Sequence, residues 1–365
     1  MTERERVLSI LRHEQPDQLP WLADLAYWTT YLERNQMLPK NWSDDLYVQM
    51  SRELGSGFYL QGFQPFREIT KNVETKLEKQ GNVEIQTITT PVGTLRQVSQ
   101  YSPVSYSYGI TEHFIKDIED LKVYAYICEN TTYEPDYDLI HRRYQSIGDN
   151  GVVLCYTPKS PLMNLVAIMS GVEAVTYMEI DEEEEFVALL DGIEEKFDQA
   201  CEIVVNSPAE CIMIPENISS ECVASFYQPY MKRYHKKWTD RIREAGKYSF
   251  VHQDGTLRGL ISQLSKESGF DVIEAVTPLP IGDVAIEEVG SLVDDKTIIW
   301  GGIPGGMFVE SVMSDEAFDA HVKKCIQVMT QSPRYVLGVA DQVVPGSSAR
   351  RIRRVRELVD EFGRY

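Results

Sequence analysis

Residues 247–283 have the sequence KYSFVHQDGTLRGLISQLSKESGFDVIEAVTPLPIGD, and this stretch decides the fold. Positions 248–251 are β-forming residues, and Gly255 ends that run. Leucine and isoleucine then recur at helical spacing over 257–264, Gly269 closes the helical pattern, and a second apolar run follows at 270–273. The stretch therefore predicts a strand, a helix and a second strand, which together form the repeating unit of a parallel α/β sheet.

The same alternation extends over the C-terminal part of the chain. Helical patterns separate further short apolar runs that predict buried strands, namely GVVLCY (151–156), CIMIP (211–215), TIIWGG (297–302) and RYVLGV (334–339). Before residue 151 the chain predicts helices and, over 73–100, a β-hairpin. No GxGxxG follows a first strand, so a dinucleotide-binding fold is the weaker alternative. We expect a (β/α)8 TIM barrel with an N-terminal helical and β-hairpin elaboration, and a single domain over residues 1–365.

The charge of the chain excludes several classes of partner. The formal net charge is -20 with a sequence pI of about 4.8, which disfavours binding to nucleic acid and to an anionic membrane surface. No apolar run approaches the roughly 20 residues of a membrane span. The N-terminal sequence MTERERVLSILRHEQ predicts a charged amphipathic helix rather than a signal peptide. We therefore expect a cytoplasmic protein whose six scattered cysteines are reduced thiols.

Acidic and imidazole side chains follow the predicted strands. His252 and Asp254 lie two residues apart where one strand ends, and the other candidates at strand ends are Glu216, Glu274 and Asp341. In a parallel barrel these ends meet at one rim, where ligands bind. One imidazole and several carboxylates are suitable zinc ligands. The structural alternative is that these residues cap the helices that follow the strands.

Five arginines lie close together near the C-terminus, at positions 350, 351, 353, 354 and 356. They could form a phosphate site. However, the same helical segment carries Glu357, Asp360 and Glu361, so we interpret the arginines as a solvated, salt-paired helix face.

Several segments, in this order along the chain, resemble the uroporphyrinogen decarboxylase superfamily, which also contains corrinoid-dependent methyltransferases. The segments are ERVLSILRHEQPDQLPW (5–21), TPVGTLR (90–96), YTPKSPLMNLVAIMSG (156–171), KYSFVHQDG (247–255) and VLGVADQVVPGSS (336–348). The resemblance covers nearly the whole chain, and it implies a (β/α)8 barrel. TPVGTLR is more similar to the methyltransferase branch.

The decarboxylase branch of this superfamily implies an N-terminal arginine-rich loop that grips substrate carboxylates and an aspartate that contacts the pyrroles. At the matching places this chain has LADLAYWTTY (22–31), which contains no arginine, and GSGFYLQGFQ (55–64), which contains no aspartate. A polycarboxylate substrate would also be repelled by the net charge of -20. These departures argue against uroporphyrinogen decarboxylase activity itself.

The methyltransferase branch implies His, Cys and a later Cys as metal ligands. The matching positions here carry His252, Asp254 and Asp341, so both thiolates are replaced by carboxylates. Oxygen ligands leave zinc more electrophilic and better suited to polarising an ether oxygen. The resemblance thus implies a zinc-dependent methyltransferase that takes a methyl group from a small O-methyl donor. His252, Asp254 and either Glu274 or Asp341 would hold the metal, and Glu216 and Tyr156 would orient the substrate.

The methyl acceptor implied by the resemblance is cobalamin. The chain contains no Asp-x-His-x-x-Gly corrinoid motif, so the cofactor would be carried by a separate corrinoid protein. A homodimer is a further possible assembly. Two other functions stay open from the sequence: a metal-independent decarboxylase of a smaller substrate that uses the rim carboxylates for proton transfer, and a non-catalytic scaffold that binds a corrinoid protein.

Overall fold

The computed structural model describes residues 1–60 and 62–365, so Gln61, within the 55–64 segment, lies outside the described residues. Strands and helices are numbered in chain order. The strands are β1 (Trp21–Leu22), β2 (Phe58–Leu60), β3 (Phe66–Thr70), β4 (Glu74–Gln80), β5 (Val83–Thr90), β6 (Gly93–Ser102), β7 (Ser107–Glu112), β8 (Thr131–Pro135), β9 (Gly151–Tyr156), β10 (Cys211–Ile218), β11 (Tyr248–Gln253), β12 (Val272–Val276), β13 (Ile298–Pro304) and β14 (Tyr335–Ala340).

The α-helices of the described chain alternate with most of these strands. They are α1 (Glu3–Leu11), α2 (Ala26–Arg34), α3 (Asp44–Glu53), α4 (Ile118–Glu129), α5 (Asp138–Ile147), α6 (Pro161–Asn164), α7 (Val172–Asp181), α8 (Glu183–Val205), α9 (Ser220–Phe226), α10 (Lys232–Glu244), α11 (Ile261–Gln263), α12 (Ile286–Leu292), α13 (Asp315–Met329) and α14 (Ala349–Phe362). π-Helical turns extend α6, α9 and α11 at Leu165–Met169, Tyr227–Met231 and Leu264–Ser268, and a 3-10 turn follows β13 at Gly305–Phe308.

The chain forms two compact units. The barrel unit contains Met1–Phe63, Tyr137–Tyr156 and Pro208–Tyr365, and the sheet unit contains Gln64–Asp136 and Thr157–Ser207. The expectation of a single domain over residues 1–365 stays a prediction. None of the helices in the described part of the chain combines the length and the apolar composition needed to cross a membrane.

The barrel unit is built on an eight-stranded parallel sheet in the order β1-β14-β13-β12-β11-β10-β9-β2. A parallel bridge between Leu22 and Gly57 joins the two end strands, and the Gly57 amide donates to the Trp21 carbonyl at 2.8 Å. Closure leaves no free sheet edge, as in TIM barrels. The predicted (β/α)8 barrel is therefore confirmed.

Alternate residues of the barrel strands fill its interior. The interior residues form one buried cluster with side chains from α1; the barrel members are Leu22, Val152, Leu154, Cys211, Met213, Phe250, Val272, Ile298, Trp300 and Val336. Helix α1 contributes Val7, Ile10 and Leu11, and it begins with a capping box between Thr2 and Glu5. Because α1 covers the interior from the N-terminal side, it leaves the opposite rim for a site.

The helix predicted for 257–264 begins later than expected. The structure places α11 at Ile261–Gln263 and continues it as the π-helical turn Leu264–Ser268. The backbone amides of Leu257 and Arg258 donate instead to the carboxylate of Asp283, at 2.7 and 3.2 Å. A long-range side-chain acceptor therefore holds this segment outside the helix, although its leucines keep helical spacing. Gly269 ends the helix in the left-handed conformation, as predicted.

The sheet unit contains more antiparallel structure than the predicted hairpin. Strands β5 and β6 form that hairpin, with Thr90 paired to Gly93 across the turn. Strands β4 and β7 extend it to a four-stranded sheet, and β3 pairs with β8 separately. Strand β4 is exposed along its whole length, so it lacks the apolar alternation that sequence reading relies on. A Cβ at Gly93 would lie 2.6 Å from Val123 Cγ2, so glycine permits close packing of β6 on α4.

The interpretation of the C-terminal arginines as a solvated, salt-paired helix face holds for some of them and not for Arg351. Arg350 and Arg354 are salt-paired at the surface, as expected, with Asp315 and Asp319. Arg351 is instead only 1% exposed. Its guanidinium donates to the carbonyls of Met307, Val309 and Met313 at 2.7–3.0 Å and to Asp315. Arg351 therefore fastens α14 to the turn that follows β13, and it was wrong to place it on the solvated face.

We expect Arg351→Ala to lower the free energy of unfolding by about 3–5 kcal/mol, because three buried carbonyls lose their donor. The neighbouring Arg350→Ala removes exposed ion pairs with Glu310 and Asp315 and should cost much less, because water screens them. Urea unfolding followed by circular dichroism measures both. Similar losses for the two variants would contradict the anchoring role of Arg351.

Candidate functional site

A polar layer lies above the apolar interior at the C-terminal rim of the barrel. Four side chains each follow a core residue by two positions in the same strand or just beyond it, and alternation turns them to the same interior face. The four pairs are Leu22 and Asp24 at β1, Leu154 and Tyr156 in β9, Phe250 and His252 in β11, and Val272 and Glu274 in β12. The C-terminal rim of a barrel is where substrates bind in enzymes of this fold.

Strand pairing brings His252 against Glu274. The two residues are direct partners in the parallel register of β11 and β12. His252 Nδ1 donates to Glu274 Oε2 at 2.5 Å, and the side chains are 7% and 1% exposed. This bond fixes the ring orientation, and it keeps the proton on Nδ1 in the neutral form of the ring that can bind a metal. Nε2 is then directed towards the rim.

The Nε2 atom of His252 has no hydrogen-bond partner among the described residues. Asp341 Oδ1 lies 3.5 Å from it and Asp254 Oδ2 lies 3.7 Å from it. The nearest ligand atoms of these three residues all lie within 4.8 Å of one another. Such separations are long for direct hydrogen bonds but suit three groups that share one cation.

The carboxylates make the rim strongly acidic. Burial alone would lower the pKa of His252, but the charges of Glu274, Asp254 and Asp341 around it raise that pKa well above 6.5. Burial raises the pKa of Asp341 to about 6, with Glu274 and Asp254 adding to the rise and His252 opposing it. The cluster therefore carries more negative charge than a single imidazole balances, and a bound cation would relieve this repulsion.

These residues fit a zinc ion. An orphaned buried imidazole nitrogen and two carboxylate oxygens give three N/O ligands, which is the number that catalytic zinc sites use while a further position stays open. Glu274 occupies the other ring nitrogen, as outer-shell carboxylates do for zinc-binding histidines. The sequence left Glu274 and Asp341 as alternatives. The geometry favours Asp341 as the third ligand and makes Glu274 the orienting residue.

The alternative reading of Asp254 as a helix cap has no support in the structure. Helix α11 has no side-chain cap, and Asp283 receives the amides of the preceding turn. Asp254 lies instead beside the free nitrogen of His252.

The structure does not bring Glu216 to this cluster. Met213 belongs to the barrel interior, but the register of β10 is irregular between Ile214 and Ile218, and Glu216 lies within that irregularity. Its side chain is fully buried, and Glu216 Oε1 lies 2.6 Å from His235 Nε2 of helix α10. The structure therefore places Glu216 against α10 and outside the His252 cluster, and its assignment to substrate orientation stays a prediction.

Tyr156 and Asp24 complete the polar layer. Burial raises the pKa of Tyr156, and the charges of Glu274, Asp24 and Asp341 raise it further, so the phenol stays protonated beside three carboxylates. Tyr156 thus lies in the same polar layer as His252, and its assignment to substrate orientation stays a prediction. Asp24 was missed because LADLAYW reads as the start of a helix. The signal was its spacing of two from the buried Leu22.

Asp341→Asn should stabilise the metal-free protein. Because the folded-state pKa of Asp341 is raised, its ionised form is disfavoured on folding, and stability is lost as pH rises through about 6. The side chain is 37% exposed, so we expect a gain of only about 1 kcal/mol above that pH. Added zinc should reverse the order, because only the wild type retains the full ligand set.

Thermal unfolding of metal-free protein, with and without added zinc, measures both effects. Asp149→Asn is the matched control, since that carboxylate is 69% exposed and pairs with Arg52. Equal stabilisation of wild type and Asp341→Asn by zinc would contradict the ligand assignment.

Comparison with solved structures identifies the fold. A methyltransferase from Methanosarcina mazei superposes with a TM-score of 0.63 and 12% sequence identity, over 99% of this chain and 99% of that one. The GH18 chitinase ChiB from Flavobacterium johnsoniae gives a TM-score of 0.34 and 13% identity, over 62% of this chain and 81% of that one. This TM-score is too low to indicate a shared fold. No curated protein matches the sequence.

The sequence profile described as "Uroporphyrinogen decarboxylase (URO-D)" matches residues 109–362. That range contains more than half of the chain, including His252, Asp254, Glu274 and Asp341. The resemblance inferred from the sequence is thus confirmed, and the chain belongs to the uroporphyrinogen decarboxylase family.

Proposed function

We propose that this protein is a zinc-dependent methyltransferase that moves a methyl group from a small O-methyl donor to the cobalamin of a separate corrinoid protein. The observation that carries the proposal is the buried, unpartnered Nε2 of His252 between the carboxylates of Asp254 and Asp341. The family and the fold, shared with a methyltransferase of known structure, are consistent with this activity.

The residues of the site divide into ligands and supports. His252, Asp254 and Asp341 would hold the zinc ion, and Glu274 would keep the imidazole in the ligand tautomer. When bound, zinc supplies Lewis acidity towards the oxygen that leaves the methyl group. Oxygen-rich ligands suit this role better than the thiolates found at the matching positions of the methyltransferase branch.

The remaining chain residues position the donor. Tyr156, protonated and partly exposed at the end of β9, is placed to donate a hydrogen bond at the rim. The apolar interior beneath the polar layer keeps water from approaching from below. The donor therefore has to enter from the rim, and the methyl group must leave towards the same side. Because both groups use the rim, a separate corrinoid protein that carries the cobalamin would dock there.

A decarboxylase is the second candidate function. Asp341, with its pKa raised to about 6, is suited to proton transfer near neutral pH without a metal. Zinc dependence separates the two functions, because the decarboxylase would require no zinc. The non-catalytic scaffold differs from both because it would convert no substrate.

His252→Ala should remove bound zinc and reduce methyl transfer by at least about a hundredfold. Elemental analysis measures the zinc. The absorbance of free cob(I)alamin, offered as acceptor with a panel of methoxy compounds, measures the transfer. His321→Ala is the matched control, because His321 contacts the Gly302 carbonyl rather than this cluster. Full transfer by a zinc-free His252→Ala protein would refute the proposal.

Glu274→Gln should weaken zinc binding by about 10- to 100-fold while the fold is retained. Glutamine keeps an acceptor for His252 Nδ1 but loses the charge that strengthens the imidazole as a ligand. A zinc titration with a competing chelator gives the two dissociation constants. Unchanged affinity in the variant would show that Glu274 does not support the ligand.

A further inference from the structure

Strand β12 is irregular at the residue that orients His252. Its register with β13 shifts between Ile273 and Val276. Glu274 and Ala275 lie within that shift, so two residues of β12 face one residue of β13, which is the pattern of a β-bulge. On the other side of β12 the register stays regular, and Glu274 pairs directly with His252 of β11.

Ala275 has a left-handed backbone, with φ of +63°. Residues other than glycine rarely adopt this conformation, and those that do are often found at functional sites, where the surrounding structure holds them. Ala275 is fully buried, and its carbonyl accepts a hydrogen bond from Thr277 Oγ1 at 2.9 Å. Thr277 is buried as well. The strained residue is therefore fixed both by packing and by a hydrogen bond.

A glycine in β13 makes room for the bulge. Gly301, which pairs with Val276, has φ of +147°. A Cβ at Gly301 would lie 2.5 Å from the carbonyl oxygen of Val276 and 2.7 Å from its nitrogen. Backbone atoms cannot swing aside as a flexible side chain does, so glycine is required for this close approach of the two strands.

The register explains why the bulge matters for the site. If β12 lost the bulge, the residues on one side of it would have to shift their pairing by one position. Such a slip turns every shifted side chain to the opposite face of the sheet. A slip before the bulge would thus take Glu274 away from His252.

We propose that the bulge in β12 positions Glu274 on His252 and so sets the zinc affinity of the site. Ala275, Thr277 and Gly301 are then positioning residues that act through the Glu274 carboxylate. Bulges beside active sites re-aim side chains in this way. The proposal rests on the proposed function, because the imidazole that Glu274 orients is the one that would hold zinc.

Thr277→Val is the milder test, because valine has the shape of threonine and removes only the hydrogen bond to the Ala275 carbonyl. We expect zinc to bind about fivefold more weakly, which corresponds to the loss of one hydrogen bond. Thr239→Val is the matched control, since that buried threonine donates to the Ser268 carbonyl at 2.6 Å from helix α10. The control should leave the affinity unchanged. Zinc titration with a competing chelator measures both variants.

Gly301→Ala is the stronger test, because its Cβ requires Val276 to move. Zinc affinity should fall about 10- to 100-fold, as expected for a ligand that loses its outer-shell support. Gly93→Ala controls for overpacking, since its Cβ would lie 2.6 Å from Val123 Cγ2 in the sheet unit. NMR of metal-free protein with ¹⁵N-labelled histidine reports the positioning itself. The Nδ1 proton resonance of His252, assigned by its absence in His252→Ala, should shift or vanish in Gly301→Ala and persist in Gly93→Ala.

Unchanged zinc affinity in Thr277→Val would overturn the proposal, even where Gly301→Ala does not fold. So would an equal loss of affinity in Thr239→Val, an unaltered His252 resonance in folded Gly301→Ala, or the absence of zinc binding by the wild type. Failure of the proposed function gives a different result: the resonance and the zinc affinities change in the expected order, but no methyl group reaches cob(I)alamin.

Discussion

The hydrogen bond between His252 and Glu274 is the constraint on which the site depends. It joins directly paired residues of β11 and β12 at 2.5 Å, so the two strands cannot shift in register without breaking it. Because Glu274 is almost completely buried, its charge acts on the imidazole with little screening by water. The bond therefore fixes the direction of the free nitrogen, and the strands beside it determine which carboxylates that nitrogen meets.

The barrel tolerates this polar cluster because it separates an apolar layer from a polar layer. Leu22, Leu154, Phe250 and Val272 fill the interior below, and α1 covers it from the N-terminal side. The next interior position along each of those strands is polar. Burial, together with repulsion from Glu274 and Asp254, raises the pKa of Asp341 and disfavours its charged form, so the metal-free protein is less stable than one in which this charge is neutralised. Sites that store such unfavourable interactions are typical of binding and catalysis.

Much of this architecture could be predicted from the sequence, because buried parallel strands are short apolar runs and their ends carry the functional groups. His252, Asp254 and Asp341 were accessible in this way. Glu216 also follows a strand end, but its contact with His235 of α10 depends on an irregularity in β10 that the sequence does not show. Arg351 was misplaced because charge was given more weight than its spacing of four from the buried Val355. The choice between Glu274 and Asp341 needed the register of β11 and β12, and an exposed strand such as β4 has no apolar pattern to detect.

We propose a zinc site at the rim that consists of one imidazole and carboxylate oxygens, without sulfur. X-ray absorption at the zinc K-edge of the purified protein tests it most directly, because the first coordination shell separates sulfur at about 2.3 Å from nitrogen and oxygen at about 2.0–2.2 Å. We expect a shell of nitrogen and oxygen with a single imidazole, and loss of the imidazole signal in His252→Ala. A sulfur contribution, or an imidazole signal that persists in that variant, would contradict it.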